Sequence, residues 1–174
     1  LPTNLKSLYI SSNPLSIFPS LPNGLEGLYC YDLNLLSLPQ LPDSLRVLAC
    51  NDNSLSTLPT LPPLMQMLWC DHNQLTSLPT LTNTMTLLRC GNNQLTSLPA
   101  LTMALNNLEC DSNQLTGLPP IPSSMLSLVC DHNQIMSLPL LPNSMNTLKA
   151  NNNNIHCVTN LPQISPSTNA NISN

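Results

Sequence analysis

Apolar side chains recur along this chain at fixed places of a 20-residue period. Units begin at Leu5, Leu25, Leu45, Met65, Met85, Leu105, Met125 and Met145, and each continues with an apolar residue at its fourth, sixth and eleventh positions, as Leu8, Ile10 and Leu15 do in the first. A fixed period of this length outweighs local propensity, because one unit cannot bury its apolar face alone and must stack on its neighbours. Around the fourth position the side chains alternate with period two, so Leu8 and Ile10 point inward and Tyr9 outward from a short strand. Stacked unit on unit, eight such strands predict a parallel sheet along one side of a solenoid.

The remainder of each unit predicts how the chain returns. An Asn follows the strand at 13, 53, 73, 93, 113, 133 and 153, and its amide can donate to and accept from backbone groups where the chain turns. Unit two carries Leu33 at that place with Asn34 beside it, which predicts a local rearrangement of its turn. Prolines at 19, 39, 59, 79, 99, 119 and 139, most followed three residues later by a second one, predict an extended, polyproline-II-like convex side with little or no helix. Thr82 and Thr102 replace the second proline without lengthening their units. One solenoid domain is expected over residues 1–164, with stacking ending near Ile164 because Ser165 and Thr168 stand where a further unit needs Leu; the polar tail 165–174 is expected to fray. Neither end carries a recognisable cap, which reads as a fragment of a longer chain or an end that associates with another copy. The chain opens at Leu1 with neither Met nor an apolar leader, so any targeting segment would lie outside these residues.

Units of the form L-x-x-L-x-[C/I/A]-x-x-N-x-[L/I] match the leucine-rich-repeat signature. The stretches Leu75 to Leu81 (LTSLPTL), Asn93 to Pro99 (NQLTSLP) and Asn113 to Pro119 (NQLTGLP), with Leu-Pro-x-Leu-Pro returns such as Leu38 to Pro42, resemble the bacterial repeat subtype of type III secretion effectors of the YopM and IpaH kind. The resemblance implies a curved sheet and a scaffold that binds host proteins. In IpaH-like members such repeats select substrates for a separate C-terminal ubiquitin-ligase domain, which makes a recognition arm of a larger enzyme the alternative reading. It also implies a soluble protein of the bacterial cytoplasm or one secreted into a host cell. The Cys ladder and the scarcity of charge depart from those effectors.

Composition narrows the partner. Only 7% of residues are charged, against about 25% in a typical soluble domain. Four Lys plus Arg against eight Asp plus Glu leave no cationic surface for a run of phosphates or an anionic bilayer, so nucleic acid and membrane are not expected as partners. Of the seven cysteines, Cys30, Cys50, Cys70, Cys90, Cys110 and Cys130 take the sixth position, where Ile10 and Ala150 stand in the end units; this marks them as compact core hydrophobes. Neighbouring strands lie about 4.8 Å apart, beyond the roughly 3.8 Å Cβ separation of a disulfide, and C-x-x-C spacing is absent, so neither bridges nor a metal are expected. Cys157 lies off this ladder.

The variable chemistry sits on one face. All charged residues but Asp43 fall at the second, fifth, seventh or eighth position of their units, beside or on the strand. Tyr9, Tyr29 and Trp69 share the fifth position with Ala49, Arg89, Glu109, Val129 and Lys149; Tyr31 takes a seventh position and Met67 a third. Exposed aromatics beside an Arg are typical of protein-binding hot spots, so Tyr9, Tyr29, Tyr31, Met67, Trp69, Arg89 and Glu109 are the expected partner-binding residues. The plainer alternative has Arg89 merely covering Trp69 by a cation–π contact. Asp71, Asp111 and Asp131 form a seventh-position row in which Asp111 and Asp131 lie one strand apart, and solvated carboxylates are the expected reading rather than a bridging cation. His72, His132 and His156 have no outward nucleophile beside them, and only four glycines occur, too few for a phosphate loop, so neither catalysis nor a cofactor is expected.

Overall fold

The computed structural model describes residues 1–15, 18–156 and 169–171 of the chain. The eight predicted strands form as three-residue segments: β1 (Ser7–Tyr9), β2 (Gly27–Tyr29), β3 (Val47–Ala49), β4 (Met67–Trp69), β5 (Leu87–Arg89), β6 (Asn107–Glu109), β7 (Ser127–Val129) and β8 (Thr147–Lys149). They pair in sequence order as one parallel sheet, and every residue from β1 to β8 faces its counterpart 20 positions on, as Leu8 faces Leu28. A ninth strand, β9 (Asn169–Asn171), pairs in parallel with β8. It falls in the tail expected to fray; the expected end of stacking at Ile164 and Cys157 both lie outside the described residues. Among the described residues every helix-length return limb runs without a helix, as the prolines require.

One continuous core runs the length of the solenoid. The middle strand residue of each unit, from Leu28 to Leu128, is fully buried, and so are most first-position and eleventh-position side chains. Each fully buried Leu or Met contributes about 1.5–3 kcal/mol, so the repeating apolar triad supplies the main force holding unit to unit. Each unit then closes with a β-turn in which the first-position amide donates to the carbonyl three residues back, as Met65 N–H does to Pro62 O (3.0 Å). The backbone of the residue at the start of this turn gives only its carbonyl, so Thr82 and Thr102 can replace Pro there; the Thr82 hydroxyl adds a bond to Met65 O (2.7 Å), whereas the Thr102 hydroxyl is buried without a partner.

The Asn ladder satisfies the backbone where each strand ends. Asn93 Nδ2 donates to the carbonyls of Cys70 (3.0 Å), Cys90 (3.2 Å) and Gly91 (3.1 Å), and its Oδ1 accepts from Leu75 N–H (2.9 Å). Asn73, Asn113, Asn133 and Asn153 repeat the arrangement, so each amide ties its own turn to the unit before it. Unit two, which lacks the Asn, is rearranged as its sequence predicts. Leu33 is buried at 6% exposure and Asn34 takes a left-handed φ of 56°, while Leu36 stands exposed at a position that is exposed in the other units too, as at Thr76 and Met136. Asn53 partly compensates by accepting from both Leu33 N–H and Leu35 N–H. On the other side, Leu15 N–H turns back to Asn13 O (2.8 Å) instead of reaching an Asn in the next unit.

The eighth position carries a constraint that the sequence reading passed over. Ser12, Asp32, Asp52, His72, Asn92, Ser112, His132 and Asn152 all adopt φ between 52° and 55°. This left-handed conformation turns the chain out of the strand, and Asn, Asp and His are enriched there among non-glycine residues. His72, His132, Asp32 and Asp52 thus owe their residue type to backbone geometry.

Candidate functional site

The fifth position of each unit closes a strand, so register decides which side chains stand together on the concave face. Tyr9 faces Tyr29, Tyr29 faces Ala49, Ala49 faces Trp69, Trp69 faces Arg89 and Arg89 faces Glu109. The residues expected from sequence therefore form a contiguous ladder, with Met67 on β4 between Val47 and Leu87. Tyr9 and Tyr29 stack with centroids 4.2 Å apart and planes 5° from parallel. Gly27 makes room for this stack, since a Cβ there would lie 3.3 Å from the Tyr29 ring. Tyr9 remains 70% exposed while Tyr29 and Trp69 are half-buried. Burial, then the hydrogen-bonded Tyr9 hydroxyl, push the Tyr29 phenol above its ordinary range, so it remains a neutral donor at physiological pH.

A depression of about 270 Å³ lies in this ladder. Tyr29 and Trp69 flank it, Ala49 floors it, and Tyr31, Asn51, Asp71 and Arg89 complete its lining. Ala49, Asn51 and Asp71 were not among the partner-binding residues expected from sequence. Their signal was present: Ala49 is the small member of the aromatic fifth-position row, and Asn51 and Asp71 follow Tyr31 along the seventh. Arg89 Nε lies 2.9 Å from Glu109 and 4.0 Å from Asp71, so its guanidinium is engaged by carboxylates, an exposed pairing worth at most about 1 kcal/mol. At the other edge of the strands Lys6 Nζ lies 2.7 Å from Glu26, whose carboxyl this hydrogen bond holds below its ordinary range.

Further along the sheet a second depression, of about 470 Å³, has Glu109, Asp111, Asp131 and Lys149 among its lining residues. Its carboxylates do not converge. Asp131 Oδ1 accepts from the backbone and side-chain amides of Asn151 (2.6 and 2.8 Å), whereas Asp111 Oδ1 leans the other way, over Gly91, where a Cβ would come within 2.7 Å of it. His72 contacts Asp71 (3.2 Å) and His132 contacts Asn152 (2.8 Å). Among the described residues no group of three or more His, Cys, Asp or Glu is placed to hold a metal ion. The six ladder cysteines are buried free thiols; burial raises Cys30 and Cys130 to about 12 and the others well above their ordinary value, so none supplies a thiolate nucleophile at neutral pH.

Comparison of this fold with solved structures gives three informative matches. YopM from Yersinia enterocolitica aligns over 99% of the chain at 28% identity with a TM-score of 0.85. YopM of Yersinia pestis, described as a leucine-rich effector protein, aligns over 97% at 35% identity and a TM-score of 0.87. A Shigella effector leucine-rich-repeat domain aligns over 88% of the chain and 71% of its own length, at 32% identity and a TM-score of 0.79. The chain belongs to the bacterial leucine-rich-repeat family. It spans 42% and 48% of the two YopM chains. No protein-family model matches the sequence, and no curated protein matches it. A leucine-rich-repeat fold of this effector-like kind is a scaffold suited to protein interaction in general, and no helix among the described residues is long and apolar enough to cross a membrane.

Proposed function

We propose that this leucine-rich-repeat chain is a non-catalytic scaffold that holds a protein partner on its concave face, as a secreted bacterial effector does. The observation that carries the reading is the in-register ladder of Tyr9, Tyr29 and Trp69 around an open depression, bordered by Arg89 and Glu109. Aromatic side chains give large contact area at small entropic cost, and with Tyr31 and Met67 they form a patch of the composition that dominates binding energy at protein interfaces. Short strands fix these side chains on a rigid sheet, so little ordering is left to be done when a partner docks.

The test is affinity capture from candidate host and bacterial lysates with wild type and the Tyr29→Ser, Trp69→Ser double variant as baits. Both substitutions fall on outward positions, so the variant keeps its fold. A protein retained only by wild type supports the reading; identical captures by both baits overturn it.

A second reading, the recognition arm of a larger enzyme such as a ubiquitin-ligase effector, is favoured by the match to a repeat domain of a Shigella effector. The intact mass of the product purified from its native source separates the two. A mass of 18.9 kDa supports the stand-alone scaffold, and a larger product that transfers ubiquitin supports the arm.

A further inference from the structure

Asparagine is followed by glycine once in the chain, at Asn23 and Gly24. The pair sits in the β-turn that closes unit one, where Leu25 N–H donates to Pro22 O (3.1 Å). Asn23 is exposed; among the described residues its side-chain amide has no hydrogen-bond partner and Gly24 N–H has no acceptor. A free main-chain nitrogen therefore adjoins a free side-chain carbonyl carbon, Asn23 Cγ, and Gly24 has no side chain to hinder their approach.

The repeat supplies comparisons. Asn83 and Asn143 are exposed at the same place in units four and seven, in turns closed by the same bond, Met85 N–H to Thr82 O (3.0 Å) and Met145 N–H to Pro142 O (3.2 Å). Each is followed by a hydroxyl residue tied to the unit before: Thr84 Oγ1 donates to Met65 O (2.8 Å) and Ser144 Oγ to Met125 O (2.9 Å). Ser44 and Ser124 make the same tie, which Gly24 gives up. The backbone does not ask for glycine there, since no glycine in the described residues has a positive φ and a Cβ on Gly24 would meet only Thr3 O, at an ordinary 3.7 Å. Asn53, also followed by a serine, is locked: its Nδ2 donates to Cys30 O (3.0 Å), and Ser54 N–H donates to Leu35 O (2.9 Å).

We propose that Asn23 is a site of spontaneous, enzyme-free modification that loosens the first joint of the solenoid as the protein ages. The Gly24 nitrogen bonds to Asn23 Cγ and gives up its proton; the bond from Cγ to Nδ2 breaks, and ammonia leaves with that proton. A five-membered succinimide results. Water, the only co-reactant, then opens the ring. Opening at Cγ leaves aspartate, and opening at the main-chain carbonyl leaves isoaspartate, whose backbone runs through Cβ and Cγ and is one atom longer. Both products add a negative charge to a depression of about 340 Å³ that Asn23 shares with Asp43. Isoaspartate also lengthens the turn just before Glu26 and Gly27, whose N–H groups bond Lys6 O (2.8 and 3.0 Å) and tie unit two to unit one.

The test ages the folded full chain at mildly alkaline pH and physiological temperature, then maps its peptides by mass spectrometry. Labelling by an isoaspartyl methyltransferase separates isoaspartate from aspartate, and an unaged sample digested in parallel gives the zero point. Conversion at Asn23 should run roughly tenfold or more faster than at Asn83 or Asn143, which share its turn but not its glycine. Gly24→Ser installs the residue that Ser44, Ser124 and Ser144 carry at this place, so it keeps the fold and should stop the conversion. Hydrogen exchange from Leu8 to Leu15 should be faster in the aged wild type than in aged Gly24→Ser, and faster than in Asn23→Asp, which carries the charge on a backbone of normal length. An aged chain unaltered at Asn23, equal rates at Asn23, Asn83 and Asn143, or undiminished conversion in Gly24→Ser overturns the site. A converted chain whose exchange matches that of aged Gly24→Ser overturns the effect on the joint.

Discussion

At the scale of single residues, two positions of the unit are governed by backbone geometry. The eighth position demands a left-handed φ, which costs an ordinary L-residue about 1–2 kcal/mol and a β-branched one more. His72→Val should therefore lower stability by about 1–2 kcal/mol while His72→Asn stays within about 0.5 kcal/mol of wild type. Both variants lose the contact with Asp71, so the difference between their urea midpoints isolates the backbone effect. The thirteenth residue and its equivalents act through hydrogen bonds instead. Removing the Asn93 amide leaves Leu75 N–H without its partner and takes one of two amide donors from the Cys70 carbonyl, which keeps Asn73 Nδ2 (3.2 Å), and Asn93→Ala should cost about 1–3 kcal/mol in the same measurement. An unchanged midpoint would mean that water replaces the amide at no cost. The Asn was legible in the sequence because it is nearly invariant from unit to unit. The left-handed position was not, because Ser, Asp, His and Asn share no chemistry there and the eye assigns each a separate surface role.

At the scale of the element, the strands and the cysteine column were both legible, and for the same reason: a period of two inside a period of 20 leaves one place for each side chain. The column has a pH consequence. An unfolded chain gives up thiol protons near pH 9, whereas folded Cys30 and Cys130 hold theirs to about 12 and the fully buried members also lie well above their ordinary value. Raised folded values mean that the native state binds the extra protons, so this contribution is intact below about pH 9 and is lost as pH rises toward 12. Each thiol within that window removes about 1.4 kcal/mol per pH unit. Against a total stability of about 5–15 kcal/mol, six thiols should bring the melting temperature down steeply from pH 9 to 10. A Cys70→Ala, Cys110→Ala variant, using the residue that already occupies the same place at Ala150, should show a flatter slope. Equal slopes would assign the alkaline loss to other groups.

At the scale of the whole molecule, units contact only their sequence neighbours, so stability is distributed along one dimension. The weakest joint is then legible in the hydrogen bonds. Between units one and two no Asn amide reaches back across the joint, because Leu33 stands in its place and Leu15 N–H has turned to Asn13. Hydrogen exchange should release the amides from Leu8 to Leu15 before those of β4 to β6, and loss of the Tyr9–Tyr29 stack should accompany it. Uniform protection would show that apolar stacking alone holds the first joint. The candidate site was only half legible at this scale. Its aromatic and charged members announced themselves by type, but their gathering around one depression, with the small, buried Ala49 between Tyr29 and Trp69, exists only once register has placed them.

The unbroken offset of 20 between facing residues from β1 to β8 also bears on how such a chain changes over generations. A crossover between misaligned copies of its gene that adds or removes one whole unit joins a strand end to an identical strand end, so the product meets no new junction and needs no compensating change. A crossover out of phase turns core residues to solvent and is eliminated. Length is thus free to drift in whole units while the outward residues on each rung mutate independently of one another, and the reach of the scaffold and the text written on it can be selected separately.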